Sequence, residues 1–242
     1  PFLDELNIES GNTTRLFRSE SPYYERPMAI LDVDNSVIVT IRESTDDQPN
    51  VFVRNLKRGS VDQMTDFPHP YPQMKGVYKE LVKYKRSDGV DLTATLYLPL
   101  GHTPEDGPVP MIVWAYPREF KTSKAASQVT GSPYRFVRIN PTSSSTSVLA
   151  MLVRGYGVLF NATMPIVGEG DAQPNDSFVE QLVASAQGAV DYMVSRGVAD
   201  RDRVAISGHS YGAFMTANLL AHSDIFRTGI ARSGAYNRSL TP

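Results

Sequence analysis

The sequence predicts an α/β protein preceded by a stretch of β-strands. Residues 1–72 show apolar and polar residues in alternation, broken by turn residues, which is typical of antiparallel strands. From residue 73 onwards, continuous apolar runs alternate with segments of helical periodicity, which is typical of a largely parallel sheet covered by helices. Three prolines within residues 66–72 indicate a linker, so we place a domain boundary at its end.

Composition excludes several classes of protein. The 242 residues carry a formal net charge of −2 and no cysteine, which excludes disulfides, thiolate zinc sites and a cysteine nucleophile. Such a small charge gives no bulk attraction to nucleic acid or to an anionic membrane, and neither is expected as a partner. The longest apolar runs have about six residues, against the roughly 20 that span a bilayer. We expect a soluble chain with its original N-terminus absent, and the sequence leaves the compartment unknown.

The first part is predicted to contain two similar β-hairpins. Residues 2–17 turn at Gly11, and residues 51–65 turn at Gly59, about 50 residues later. Glycine supplies the positive φ that a tight hairpin turn requires. A strand pair at 28–42 lies between them, and four strands per 50 residues match the blades of a β-propeller. A set of unrelated hairpins is the open alternative.

The second part is predicted to begin with a hairpin and to continue with strands and helices in alternation. The hairpin joins residues 78–85 to 90–98. The expected elements after it are a strand at 111–116, a helix at 143–153, a strand at 156–160, a long helix capped by Asp176 and ended at Gly197, a strand at 203–206, a helix at 211–222 and a strand at 228–231.

One motif carries chemistry. Gly208–Gly212 reads Gly-His-Ser-Tyr-Gly and stands between a predicted strand and a predicted helix, which is the setting of the G-x-S-x-G nucleophile elbow. Such a turn strains the serine backbone, exposes its Oγ and needs small neighbours. Ser210 is therefore the candidate nucleophile, and the backbone N–H of Tyr211 could donate to an oxyanion. A glycine-rich turn with an incidental serine is the alternative.

The base and acid that a serine nucleophile needs are not found beside it. In this kind of fold they follow the serine in the chain. The only later histidine is His222, about 18 Å along the helix that Ser210 begins, which is beyond the reach of proton transfer. His209 is expected to point elsewhere, and His69 and His102 to be solvated. We therefore predict a fragment that ends before the triad is complete.

Several stretches of the sequence resemble one branch of a known peptidase family. They are Trp114–Phe120, Gly168–Asp171, Phe178–Val183, Gly208–His222 and Gly229–Arg238. Together they are similar to the glutamyl endopeptidase branch of the prolyl oligopeptidase family. The resemblance implies the end of a β-propeller at 1–72 and a C-terminally incomplete α/β-hydrolase domain at 73–242. It also implies a serine peptidase that cleaves after Glu through an acyl-enzyme.

The same resemblance implies roles for single residues. Ser210 looks like the nucleophile, and the Tyr211 N–H and the Tyr116 hydroxyl look like the two oxyanion donors. A substrate Glu calls for an arginine, which binds carboxylates bidentately. The candidates near strand ends are Arg118, Arg232 and Arg238, with Tyr236 as a pocket wall, and each arginine is equally suited to a structural ion pair.

Other kinds of site are not expected. The four histidines lack metal-binding spacing, and Gly168–Gln173 does not complete a dinucleotide motif, so we predict no metal and no cofactor. Glu169 and Asp171 are expected to anchor loops. The expected partners are a peptide substrate, the remainder of the same protein and, through an exposed sheet edge, a second copy. An esterase or lipase, or an inactive folding or binding fragment, are the alternative functions.

Overall fold

The chain divides into two compact units. The computed structural model describes residues 1–129, 131–139 and 147–236. The first unit is formed by Pro1–Gly76 with Ser132–Arg138, and the second by Val77–Gly131 with Ile139–Pro242. Among the described helices, none combines the length and the apolar character needed to cross a bilayer.

The first unit contains two antiparallel sheets. Both hairpins expected from the sequence are present, and Gly11 and Gly59 take left-handed backbone conformations at their turns. The larger sheet has four strands in chain order, as a single propeller blade does. The propeller assignment itself stays a prediction. The strands are β1 (Phe2–Leu6) paired with β2 (Thr13–Arg18), and β3 (Tyr24–Asp32), β4 (Val37–Glu43), β5 (Asn50–Asn55) and β6 (Ser60–Gln63).

Residues 132–138 belong to the first unit although the sequence places them in the second part of the chain. Glu43, which is buried, holds this segment. Its carboxylate accepts the backbone N–H of Phe136 at 3.1 Å and pairs with the Arg135 guanidinium at 2.6 Å. The contact joins residues 93 positions apart, and no local pattern in the sequence indicates it.

The second unit is built on a six-stranded mixed sheet, which confirms the α/β class. The spatial order is β12-β11-β9-β10-β8-β7. Strands β9 to β12 run parallel to one another, and β8 runs antiparallel to both of its neighbours, β10 and β7. The strands are β7 (Lys79–Lys85), β8 (Asp91–Tyr97), β9 (Val109–Phe120), β10 (Gly157–Val167), β11 (Ala199–His209) and β12 (Thr228–Arg232).

Within the described residues of the second unit, three α-helices accompany this sheet: α1 (Ser123–Ala126), α2 (Phe178–Ser195) and α3 (Tyr211–His222). Helix α2 buries the stripe that its sequence predicts, with Leu182, Ala186, Val190 and Met193 fully inaccessible. Burial of each large side chain in such a stripe contributes about 1.5–3 kcal/mol. Helix α3 has the predicted bounds.

The start of α2 differs from the prediction. Ser177, not Asp176, is its N-cap residue. Asp176 instead closes a 3₁₀ turn at Pro174–Ser177, where its carboxylate accepts the backbone N–H of Gln173 at 3.0 Å. Pro174 has no backbone N–H that would be left without an acceptor at the start of a helix. It begins this 3₁₀ turn, and the α-helix starts after the turn, at Phe178. The predicted end is confirmed, because Gly197 follows the helix at φ +71°.

The predicted helix at 143–153 is also wrong in type. Val148–Arg154 forms a 3₁₀ helix, and residues 143–146 lie outside the described part of the chain. Gly155 ends the run in a left-handed conformation (φ +80°). Seven residues are too few for an α-helix to gain much from propagation, so a tighter 3₁₀ run is accessible here.

A buried arginine connects the β7–β8 turn with the rest of the second unit. Arg86 is 3% exposed and donates to the Pro165 carbonyl at 2.8 Å and to the Ser185 hydroxyl at 3.4 Å. It also forms a bidentate pair with the Asp88 carboxylate, at 2.9 and 2.7 Å. This hydrogen bonding is the main reason that the pKa of Asp88 lies below its ordinary value.

We predict that Asp88→Asn destabilises the chain in a pH-dependent way. The folded pKa of Asp88 lies below the unfolded value of about 3.9, so the pair stabilises the fold above that pH and loses its effect as the pH falls through the folded pKa. At pH 7 the expected loss is about 1 kcal/mol. Urea unfolding should show the loss shrinking below about pH 4. The exposed pair Lys85–Asp91 supplies the control, Asp91→Asn. A loss at pH 7 that persists unchanged at pH 3 would contradict the assignment.

Candidate active site

The order of strands in the second unit creates a crevice at the carboxyl ends of its central strands. Strand β10 lies on one side of β9, and β11 lies on the other. At such a reversal, the loops that leave the carboxyl ends of neighbouring strands diverge, and ligands bind in the gap between them. Ser210 follows β11 directly, and Tyr116 lies near the end of β9.

The backbone at Ser210 has the strained form expected of an elbow. Its φ of +57° and ψ of −116° lie outside the regions that L-residues ordinarily adopt, and the residue is exposed. Two neighbours hold it in place. The Ser210 N–H donates to the Arg232 carbonyl at 2.9 Å, and the Ser210 carbonyl accepts the N–H of Ala213 at 3.0 Å.

Two glycines make this turn sterically feasible. A Cβ at Gly208 would lie 2.4 Å from the carbonyl carbon and oxygen of Gly212. A Cβ at Gly212 would lie 2.6 Å from the carbonyl oxygen of Ala115 on β9. Both distances are far inside van der Waals contact, and both neighbours are backbone atoms, which can shift only if their whole segment shifts. The prediction that the motif glycines are needed for close packing is confirmed.

Tyr116 and Tyr211, the two predicted oxyanion donors, lie together beside the elbow. Their rings meet edge to face at 6.0 Å between centroids. Tyr116 is 47% exposed, so its hydroxyl end can meet a ligand in the crevice. The Tyr211 ring stacks on Phe178 at 5.7 Å and on Phe214 at 5.9 Å. Its hydroxyl donates to Glu119 at 2.9 Å, a contact that sequence reasoning missed.

A cleft of about 240 Å³ adjoins Tyr116. Its walls include Arg118 and Phe120 from β9, and Asn161 and Met164 from β10. Asn161 is the extra residue of a β-bulge and has φ +51°, a conformation that asparagine tolerates. The cleft therefore combines apolar walls with one guanidinium and two side-chain amides, those of Asn161 and Gln128.

Arg118 is the cation of this cleft. It is exposed, and within the described ranges it has no ion pair or hydrogen bond. Two nearby carboxylates have other donors. Glu119 accepts the hydroxyl of Tyr211, and Glu169 accepts the N–H and hydroxyl of Ser123 at 2.6 and 2.5 Å.

The Glu169 contacts anchor the loop after β10, as the sequence predicts. The hydrogen bond from the Ser123 side chain is the main cause that lowers the pKa of Glu169. The neighbouring Gly168 N–H donates to the Phe120 carbonyl at 2.9 Å, which fastens the ends of β9 and β10 together. Asp171 makes no hydrogen bond or ion pair among the residues that the structure describes, so its expected anchoring contact is absent there.

The positions of the other predicted substrate-binding residues give less direct support for that role than the position of Arg118 does. Arg232 ends β12, is half-buried and lies beside His209 in the strand register. Tyr236 is 52% exposed, and its ring would lie 2.8 Å from a Cβ placed at Gly234. Arg238 lies outside the described residues.

The histidines of the second unit do not supply a base. In the described part of the second unit, none of His102, His209 and His222 hydrogen-bonds to Ser210. His209 is exposed, and His222 ends α3, eleven residues beyond its first residue, Tyr211. A triad is therefore not assembled within this part of the chain. Among the described residues, no group of three or more metal-binding side chains occurs.

The expectation that His69 and His102 are solvated is wrong. The Nδ1 of His69 accepts the backbone N–H of Tyr71 at 2.9 Å, its Nε2 is buried, and its ring meets Phe136 edge-on at 4.8 Å. Burial is the main cause that lowers the pKa of His69. His102 is partly buried, with Nε2 at 2.9 Å from the Gly107 carbonyl. Both imidazoles complete local turns, which their loop positions in the sequence do not reveal.

Comparison with known proteins relates the chain to one family. A family model described as the prolyl oligopeptidase family matches residues 178–241. Two relatives are each described as a probable chloroplastic glutamyl endopeptidase. They are 49% identical (Oryza sativa subsp. japonica) and 50% identical (Arabidopsis thaliana) over 253 residues, which cover 100% of this chain and 26% of each relative. Residues 178–241 therefore match the prolyl oligopeptidase family, and the whole chain is similar to two probable glutamyl endopeptidases.

The chain spans about a quarter of the length of the curated relatives it matches (26%). The resemblance seen in the sequence is confirmed, and the named relatives are peptidases. Within the family match at 178–241 lie helix α2, the elbow at Ser210 and helix α3.

Solved structures show the same fold at low sequence identity. The apo isopeptidase AtxE2 aligns with a TM-score of 0.64 and 16% identity over 94% of this chain and 33% of its own. A puromycin-hydrolysing peptidase from Mycobacterium tuberculosis gives 0.59 and 17%, over 96% of this chain and 34% of its own. Acylaminoacyl peptidase from Pyrococcus horikoshii gives 0.56 and 19%, over 93% and 33%.

We predict that Gly212→Ala disrupts the elbow at Ser210. The added methyl would meet the Ala115 carbonyl, so α3 must move away from β9 at a cost of about 1–3 kcal/mol. Chemical denaturation measures the cost. Ala221→Ser adds one atom to an exposed position of the same helix and should change stability by less than about 0.5 kcal/mol. Equal stability of Gly212→Ala and the parent chain would refute the close approach.

Proposed function

We propose that this chain carries the nucleophile and oxyanion site of a serine peptidase. The observation that carries the proposal is the backbone of Ser210, strained and exposed between β11 and α3. A conformation of this kind costs about 1–3 kcal/mol and persists where the surrounding structure enforces it, chiefly at functional sites. Here the close backbone packing at Gly208 and Gly212 holds Ser210 in this conformation.

The proposed reaction is attack of the Ser210 Oγ on a peptide carbonyl. The serine loses its proton to a general base as the tetrahedral intermediate forms, and the leaving amine then receives a proton as the acyl-enzyme is made. The N–H of Tyr211 and the hydroxyl of Tyr116 are the proposed donors to the oxyanion. Loss of one such donor typically lowers kcat by about 10²–10³.

The proposal assigns the base and its orienting acid to sequence outside this chain. Within the described part of the second unit, no histidine side chain hydrogen-bonds to Ser210, and the relatives contain far more sequence than this chain covers. We propose that residues 1–72 form the end of a β-propeller and residues 73–242 the N-terminal part of an α/β-hydrolase domain. The four-stranded sheet of the first unit and the strand order of the six-stranded sheet in the second unit support this division. The remainder of the protein is then a required partner.

The proposed substrate is a peptide with Glu on the N-terminal side of the scissile bond. The relatives are described as glutamyl endopeptidases, which supports an acidic preference. Arg118 lines the cleft beside Tyr116 and has no described carboxylate partner, so it suits this role best among the three arginines. Arg232 is half-buried and already takes part in another interaction, and Arg238 lies outside the described residues.

Ser210 is tested by fluorophosphonate labelling read by mass spectrometry. In the protein of natural length, we expect labelling at Ser210 and none in Ser210→Ala. The 242-residue chain alone should label more slowly by about 10³-fold or more, because activation of serine needs its base. Equal labelling of both proteins would place a base within this chain. Absence of labelling at Ser210 in the natural-length protein would refute its role as the nucleophile. Hydrolysis of ester substrates without hydrolysis of peptides would favour an esterase.

Arg118 is tested with matched peptides that carry Glu or Gln before the scissile bond. Arg118→Gln should lower kcat/KM for the Glu peptide by about 30-fold, equivalent to about 2 kcal/mol for a charged hydrogen bond. The Gln peptide should change by less than about threefold, because it makes no ion pair. Arg227→Gln, at an exposed site just before β12, is the control. Equal losses on both peptides would show that Arg118 does not recognise the side chain.

A further inference from the structure

We infer that Glu119 is a positioning residue that sets the geometry of both proposed oxyanion donors by holding the side chain of Tyr211. The inference rests on the proposed function of Ser210 and goes beyond it. Glu119 accepts the Tyr211 hydroxyl at 2.9 Å. Glu119 and Tyr211 are 92 positions apart, and their hydrogen bond connects the end of β9 with the first residue of α3.

Tyr211 is held at both ends. Its backbone follows the strained Ser210, and its N–H is a proposed oxyanion donor. Its ring is fixed by stacking on Phe178 at 5.7 Å and on Phe214 at 5.9 Å. Stacking leaves a ring free to slide in its own plane, whereas a hydrogen bond at the hydroxyl removes that freedom. The Glu119 carboxylate is thus the contact that defines how far the side chain extends towards β9.

Tyr116 depends on the same contact. It lies on β9 three positions before Glu119, and its ring packs edge to face on the Tyr211 ring at 6.0 Å. Glu119 therefore connects the strand that carries one proposed donor to the residue that carries the other. Oxyanion donors act at about 2.7–3.1 Å, and a displacement of about 1 Å costs roughly 10²-fold in rate.

The chemistry of Glu119 fits positioning better than stabilisation of the fold. It is exposed, and the structure gives it no other hydrogen bond or ion pair within the described residues. Exposed charged contacts contribute little to folding, so its removal should leave the protein folded. A carboxylate is also a stronger acceptor for a phenol than a neutral group.

The test is a double-mutant cycle in the protein of natural length, with Glu119→Ala, Tyr211→Phe and the double variant. We expect each to lower kcat about tenfold with KM unchanged, and the double variant to lose no more than either single one. Affinity for a peptide aldehyde, which forms a tetrahedral adduct with the serine, should fall by the same factor. Glu119→Gln, which keeps an acceptor oxygen, should restore most of the activity.

Two readouts separate positioning from other roles. The preference for Glu over Gln peptides should not change, because Arg118 is untouched. Thermal unfolding should also stay the same, and Glu180→Ala, at an exposed carboxylate in the first turn of α2, should match the parent in every assay. Additive losses in the cycle, a rise in KM alone, or a fall in Tm that accounts for the lost activity would overturn the inference. Peptidase activity in Ser210→Ala would instead refute the proposed function itself, and the inference with it.

Discussion

The close approach of helix α3 to strands β9 and β11 is the constraint on which the site depends. Two positions have no room for a side chain, Gly208 against the carbonyl of Gly212, and Gly212 against the carbonyl of Ala115. With backbone atoms in contact on both sides, the connection between β11 and α3 has space for a single residue. That residue, Ser210, must then adopt a left-handed φ that other geometry would avoid. The exposed hydroxyl is a consequence of backbone packing rather than of any contact made by the serine side chain.

Strand β9 supplies most of the surroundings of the elbow because the strand order reverses beside it. Its last five residues include Tyr116, Arg118 and Glu119, which make three different kinds of contact. Tyr116 packs on the Tyr211 ring, Arg118 lines the cleft, and Glu119 accepts the Tyr211 hydroxyl. Because strand side chains alternate in direction, Tyr116 and Arg118 share the face that lines the cleft, and Glu119 takes the other face. This explains how a short segment can be proposed to serve catalysis, specificity and positioning together.

Local chemistry was predictable from the sequence, and distant contacts were not. The G-x-S-x-G turn, helix α3 and the apolar stripe of α2 depend on residues within a few turns of one another, and each was expected correctly. The 3₁₀ form of 148–154 was not, because α and 3₁₀ winding share similar side-chain spacing over seven residues. Glu119 to Tyr211 and Glu43 to Phe136 join residues 92 and 93 positions apart. Periodicity within a segment carries no information on such pairs.

The charges at the carboxyl edge of the sheet also follow from these distant contacts. Arg118 and Glu119 are neighbours on β9, and neighbouring side chains of a strand point to opposite faces. The structure directs the Glu119 carboxylate to Tyr211 and the Glu169 carboxylate to Ser123. Both acids are therefore committed to hydrogen bonds, while the guanidinium faces a cleft with apolar walls. Charge interactions strengthen where water is partly excluded, so an acidic ligand would gain most in this cleft. The contact proposed to position Tyr211 thus holds the Glu119 carboxylate outside the lining of the cleft in which Arg118 is proposed to bind an acidic side chain.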